Sequence, residues 1–301
     1  MKIIQSLWTK PMLNEDNKTD NGRFSGGWLE SKYHLMSWAF SCLQLKKFYK
    51  EVELYTDLKG KELLIDILGL PYTKVHLVLN SIDHYHPDLW ALGKIKAYSL
   101  QQEPFLHIDS DIYIGERFSD SIENANLIVQ NSEMGYSFYK PLYEDLIRNN
   151  FFFPESLIEN KKNETEVNAY NAGIIGGNNI SFFERFTSEA FNFVNRNLDK
   201  LDRINIGRFN TIYEQHLFYC MSQSENISVE CFMSVKDKYK LNHELKGFEY
   251  FKNAPNERKY IHLFGEDCKK SIMYCEELSK KMHSMYPDYF EKINEIMLSK
   301  I

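Results

Sequence analysis

Two aspartates one residue apart, Asp109 and Asp111, follow directly on the apolar residues Phe105, Leu106 and Ile108. The run reads as a buried strand, which puts both carboxylates at its C-terminal end, the edge of an open α/β sheet where ligands bind. Two negative charges this close in a partly dry site repel strongly unless a cation lies between them. A divalent metal resolves the conflict and marks the segment for metal-assisted chemistry. A second apolar pair, Ile112 and Ile114, completes a strand, acid pair, strand pattern. The competing reading is a solvated turn with unpaired acids.

Such a pair needs a scaffold, and the preceding residues supply one by alternating two periodicities. Lys2 to Trp8 reads as a strand, followed by a polar, glycine-containing loop from Asn21 to Gly27. A helix is expected from Ser31 to Tyr49, because Leu35, Trp38, Ala39, Cys42, Leu45 and Tyr49 recur at helical spacing and form one buried stripe. Val52 to Asp57 and Lys74 to Leu79 read as strands around a helix from Gly60 to Leu68. Asp88 is placed to cap a helix carrying Leu89, Leu92, Ile95 and Leu100, which must end before Pro104. Strands alternating with helices give an α/β fold, a mainly parallel sheet flanked by helices.

The second half is less regular. A strand is expected at Leu127 to Gln130, helices near Leu142 to Arg148, Phe182 to Leu198 and Thr211 to Met221, and a loop from Phe151 to Val167. The cluster Phe151, Phe152 and Phe153 reads as a buried plug or as the lining of an acceptor cleft. The lysine-rich stretch Lys236 to Arg258 reads equally as a lid and as a solvated insertion. After a strand from Lys259 to Phe264, two amphipathic helices meet near Pro287. With no internal repeat and no linker, the expectation is one domain over residues 1–301, in two halves (1–115 and 116–265) closed by C-terminal helices (266–301).

Composition excludes several classes. With 43% hydrophobic and 26% charged residues the chain is neither disordered nor fibrous, and no stretch reaches the roughly 18 apolar residues of a membrane span. A net charge of -6 argues against a nucleic-acid binder, which displays a basic stripe. The five cysteines lack any CxxC pair and read as reduced thiols. The N-terminal residues are too interrupted for a signal peptide, so a cytoplasmic location is expected.

The segment Phe105 to Asp111 resembles the metal-binding Asp-x-Asp strand of nucleotide-sugar glycosyltransferases of the GT-A (Rossmann-like) fold. Two other segments resemble the glycogenin and lipopolysaccharide galactosyltransferase group within them. Asn171-Ala172-Gly173-Ile174-Ile175-Gly176 is similar to the strand beside the sugar donor, and Tyr260 to Gly265 to the late strand and loop. The three segments, in this order, cover most of the chain.

The resemblance implies that His262 joins Asp109 and Asp111 as a ligand to Mn²⁺ or Mg²⁺, although a lone strand histidine is also an ordinary structural residue. It implies donor contacts for Ser110, Asn171, Ala172, Gly173 and Gly265, whose missing side chain allows a diphosphate to approach the backbone. Lys269 would reach a phosphate, although Glu266, Asp267 and Cys268 lengthen the usual spacing between Gly and Lys. Lys94 is similar to a basic residue that approaches the donor; the alternative is a solvated helix face. Asp57 fits the nucleoside or a helix cap, and Trp8, Thr9 and Lys10 fall where the group holds the base. Glu214 and Gln215 are similar to the acidic-Gln pair near the reacting sugar; the alternative is an acid at a helix N-terminus.

The expected activity is therefore a metal-dependent hexosyltransferase that takes a sugar from a nucleoside diphosphate sugar, a UDP-sugar, with retention of configuration. Residues 1–115 would be the nucleotide-binding half and 116–265 the acceptor half. The acceptor is a glycan, lipid or protein. The alternatives are a glycan-binding or scaffold protein that keeps the fold without turnover, and a metal-dependent phosphotransferase, for which no P-loop pattern exists.

Overall fold

The computed structural model describes residues 1–13, 26–163, 166–234 and 238–298. Residues 21–25 of the expected polar loop and 236–237 of the lysine-rich stretch lie outside the described residues.

The strands among the described residues are β1 (Lys2–Leu7), β2 (Val52–Thr56), β3 (Lys74–Leu77), β4 (Phe105–Ile108), β5 (Ile112–Ile114), β6 (Leu127–Glu133), β7 (Ala169–Gly177), β8 (Val229–Cys231) and β9 (Tyr260–His262). The class is the expected one, a mixed, mainly parallel α/β sheet flanked by helices, with β5 and β9 forming a separate antiparallel pair. The chain gathers into two compact units, each drawn from separate stretches of sequence.

One unit holds Lys2–Asn80, Ile108–Arg117 and Val235–Ile301. Its strands β3, β2 and β1 lie side by side in that order, all parallel. The helix Ser31–Phe48 ends where the Tyr49 N–H returns to Leu45 O at 2.9 Å. The expected stripe of Leu35, Trp38, Ala39, Cys42 and Leu45 is buried, and so is the flanking polar stripe of His34, Ser37, Ser41 and Gln44. Helices Ile272–Met285 and Pro287–Leu298 close this core with Leu278, Met282 and Ile293.

The other unit holds Met1, Ser81–His107 and Phe118–Ser234. Its strands run β4, β7, β6, β8, with β6 antiparallel to β7 and parallel to β8. At Gly176 a Cβ would stand 2.1 Å from Phe105 O, so the β4 backbone passes where only glycine leaves room. Rings of Phe182, Phe183, Phe186 and Phe218 pack edge-on in its core.

Three local expectations are corrected. A helix, Glu155–Asn163, forms inside the stretch read as a loop; among its described side chains only Leu157 is fully buried, so no apolar stripe announced it. The lysine-rich stretch folds into helices Lys238–Lys246 and Phe248–Asn253. The helix expected from Thr211 begins at Ile206, where the Asn205 side chain accepts the Arg208 N–H, and widens to a π turn over Ile212–His216 before Leu217–Ser224. No helix among the described residues is long and apolar enough to cross a membrane.

Candidate metal centre

The β5–β9 pair builds the site. Its register sets Ile112 opposite His262, and the Leu263 N–H donates to Asp111 O at 3.0 Å. Asp109 and Asp111 follow β4 directly, and one ligand atom each from Asp109, Asp111 and His262 lies within 4.8 Å of the others. His262 Nε2 stands 3.3 Å from Asp111 Oδ1. Asp111 and His262 are buried and Asp109 is half-buried. An octahedral cation with donors at about 2.1 Å separates neighbouring donors by about 3.0 Å and opposite ones by about 4.2 Å. The observed pair lies near the first spacing, and the three ligand atoms, all within 4.8 Å of one another, are close enough for one cation to draw together. Two carboxylates and an imidazole suit Mn²⁺, and Mg²⁺ less well.

The polar stripe of helix Ser31–Phe48 holds the acid loop in place. Ser37 Oγ donates to Ser110 O at 2.8 Å and also meets the Tyr113 hydroxyl at 2.8 Å, while Ser41 Oγ reaches Asp109 O at 3.5 Å. Gln5 on β1 donates to Ile108 O at 3.3 Å. His34 Nε2 accepts the Trp38 indole N–H at 3.0 Å, so the neutral ring carries its proton on Nδ1. Gly26, at φ 60°, packs so closely on that ring that a Cβ would lie 2.4 Å from Nε2.

Charge is balanced within the same unit. Lys269 Nζ lies 2.6 Å from Asp111 Oδ2. Burial alone would raise the Asp111 carboxyl, but Lys269 and then His262 outweigh it and hold the group well below the ordinary carboxylate range. Burial pushes His34 from 6.5 down to about 3, Lys269 adds to the fall and Asp111 opposes it. The Tyr260 phenol is raised by burial and then by the Asp111 and Asp109 charges, so it stays protonated beside the acids.

The other expected residues of this unit divide. The lengthened spacing between Gly265 and Lys269 does not carry the lysine away, since Lys269 reaches Asp111 directly. Gly265 adopts φ 77°, a left-handed conformation, and among the described residues, its chain neighbours aside, nothing lies within 4 Å of the position a Cβ would take. Asp57 is a helix cap, accepting the Gly60 N–H at 2.7 Å, and its other oxygen accepts the Thr9 N–H at 2.6 Å and the Thr9 hydroxyl at 2.9 Å. One oxygen thus caps the helix while the other pins the chain just after β1.

In the second unit, Lys94 is buried rather than on a solvated face. Its ammonium stands 3.0 Å from Glu214 Oε1 and donates to Ala172 O at 3.0 Å, and the Tyr98 hydroxyl donates to Glu214 Oε1 at 3.2 Å. Glu214 lies on the π turn, well inside its helix, which removes the reading of an acid placed by a helix N-terminus. Asn171 accepts the Gly173 N–H at 3.0 Å and donates to Glu133 Oε1 at 2.9 Å. Gln215 Oε1 faces the Tyr139 hydroxyl at 2.8 Å. Lys94, Asn171, Ala172, Gly173, Glu214 and Gln215 thus share one polar cluster, joined by Glu133, Tyr98 and Tyr139.

Sequence reasoning missed His34, Ser37, Glu133 and Tyr139. For the first two a signal existed, since His34, Ser37, Ser41 and Gln44 repeat at helical spacing along a face that a simple amphipathic helix would leave in water. Glu133 and Tyr139 carry no such mark.

No curated protein matches the sequence. Among solved structures, the chain is similar to the crystal structure of the glycosyltransferase GlyE from Streptococcus pneumoniae TIGR4, at 11% identity and a TM-score of 0.47. That likeness covers 99% of this chain but 63% of the other, so the chain spans less than two thirds of the length of that structure. The model of one family matches residues 1–296, and the chain therefore belongs to DUF6734, a family of unknown function.

Proposed function

We propose that the protein is a metal-dependent glycosyltransferase that moves a hexosyl group from a nucleoside diphosphate sugar, a UDP-sugar, to a glycan, lipid or protein acceptor in the cytoplasm, with retention of configuration. The observation that carries this reading is the convergence of Asp109, Asp111 and His262 within 4.8 Å of one another after β4. These three would hold Mn²⁺ or Mg²⁺, which supplies positive charge against the negative charge that grows on a leaving diphosphate.

The chain's own groups extend the same chemistry. Lys269 places a second positive charge on Asp111 Oδ2, within reach of an anion bound at the acids. Gly265 leaves its backbone uncovered where a phosphate would approach. In the second unit Lys94 is pinned by Glu214 and Ala172 O, which makes it a fixed charge that orders this cluster. Asn171, Glu214 and Gln215 offer the amide and carboxylate groups that orient sugar hydroxyls.

The test is UDP release. Incubation with Mn²⁺ and a panel of UDP-sugars should release UDP slowly without acceptor, and Asp111→Asn should abolish it. A UDP-sugar at 100 times its Kd with Mn²⁺ should stabilise the wild type by about 2.7 kcal/mol. If no donor stabilises the protein with metal present and Asp111→Asn changes nothing, the proposal is wrong.

A further inference from the structure

The polar cluster of the second unit contains one proton that two neighbours compete for. Tyr139, almost fully buried at the start of helix Tyr139–Arg148, sets its hydroxyl against Glu133 Oε2 and also 2.8 Å from the oxygen of the Gln215 side-chain amide. A phenol has one hydrogen and donates once. Glu133, at the end of β6, also receives the Asn171 amide N–H at 2.9 Å, and two donated hydrogen bonds favour the ionised carboxylate. An ionised carboxylate only accepts, and its charge-assisted bond to the phenol is about twice as strong as a neutral one.

The tyrosine proton therefore belongs to Glu133. Burial, then the charge of Glu133 and its bond, hold the Tyr139 phenol well above its ordinary range, consistent with a protonated phenol beside an anion. Two oxygens would then face each other across the 2.8 Å gap with no hydrogen between them, which is repulsive. A half-turn of the Gln215 amide exchanges its oxygen for its NH₂ and removes the conflict. Among the described residues this contact is the hydrogen bond that the Gln215 side chain makes, so the turn breaks no other.

We infer that Glu133 and Tyr139 are positioning residues that fix the Gln215 amide, with the chain of donation running from Gln215 N–H to Tyr139 oxygen and from Tyr139 O–H to Glu133. The Gln215 carbonyl oxygen then turns away from Tyr139 and is left as an acceptor. Under the glycosyltransferase reading, on which this consequence rests, that oxygen is the group offered to the electron-poor anomeric carbon, and the two positioning residues keep the NH₂ from taking its place.

The orientation can be read without activity. In protein labelled with ¹⁵N-glutamine, the Gln215 side-chain signal is identified by its loss in Gln215→Glu. In the wild type one of its protons should exchange slowly with water, and Tyr139→Phe should speed that exchange by about tenfold or more. Glu133→Gln, which keeps the side-chain shape, should shift it in the same direction and serves if Tyr139→Phe does not fold. Equal exchange in wild type and a folded variant overturns the inference. In UDP release, Tyr139→Phe should lower kcat about tenfold with KM for the donor within about twofold, and unchanged kcat and KM also overturn it. Failure of the glycosyltransferase reading is visible separately, as a wild type that releases no UDP, and the exchange result decides the amide orientation in that case too.

Discussion

Acidifying the protein from pH 7 to pH 5 should weaken it through His34, by an amount the structure sets. The ring is buried, accepts the Trp38 N–H at 3.0 Å and packs under Gly26, so a second proton, on Nε2, would face the Trp38 N–H, itself a donor. Burial first, then the Lys269 charge, hold its pKa at about 3 against 6.5 for a free imidazole. Between those values the unfolded chain binds the proton and the folded one does not. Stability from this group is therefore complete above about 6.5 and declines as pH falls toward 3. Each pH unit in that window is worth about 1.4 kcal/mol, so at pH 5 the loss is about 2 kcal/mol. The assay is urea unfolding at pH 7, 6 and 5 of the wild type and His34→Gln, whose amide oxygen can take the Trp38 N–H. Burial also holds His107 neutral in the other unit, and its contribution is common to both proteins. The stability difference between them isolates His34 and should shrink by about 2 kcal/mol from pH 7 to pH 5. Parallel curves would mean that the fold does not hold His34 neutral across this range.

Lys269→Met removes the ammonium that competes for Asp111, so Mn²⁺ alone should bind about tenfold tighter by electron paramagnetic resonance, while UDP with Mn²⁺ binds more weakly. Weaker binding of Mn²⁺ alone would show that the lysine supports the metal site instead. Asp57→Ala strips the cap from Gly60 and both bonds to Thr9, and should cost about 3 kcal/mol in urea unfolding; a loss under about 1 kcal/mol would mean that water replaces the carboxylate without penalty. Gly176→Ala drives a methyl into the β4 backbone and should destabilise by more than about 3 kcal/mol, read as a lost or strongly lowered Tm.

Much of this was legible in the chain because it was written in periodicity. The alternation of strands and helices through residue 108 matches the order of the described elements, although the helix before β4 runs Leu92–Tyr98 with Ala91, not Asp88, at its N-terminal cap position, and the acid pair follows its apolar strand as read. What the sequence concealed is pairing across distance. Nothing near Asp111 announces that β9 will lie beside β5, and His262 acquires its neighbours only through that register. The same holds for Lys269, whose spacing from Gly265 looked too long until the short helix Glu266–Lys269 brought its side chain back to Asp111. The helix at residues 155–163 escaped because it anchors through Leu157 and shows no repeating apolar face. Lys94 was ambiguous for a related reason: a lysine on a helix reads as solvated unless its acid, here Glu214, is known to be opposite.

The antiparallel contact between β5 and β9 also sets an order of assembly. Asp109 and Asp111 emerge from synthesis early and the strand bearing His262 late, so the young chain carries two adjacent anions for the whole interval before imidazole or ammonium can join them. A chain stopped short of residue 260 would keep that repulsion permanently, and a cation added to it would meet half a cage.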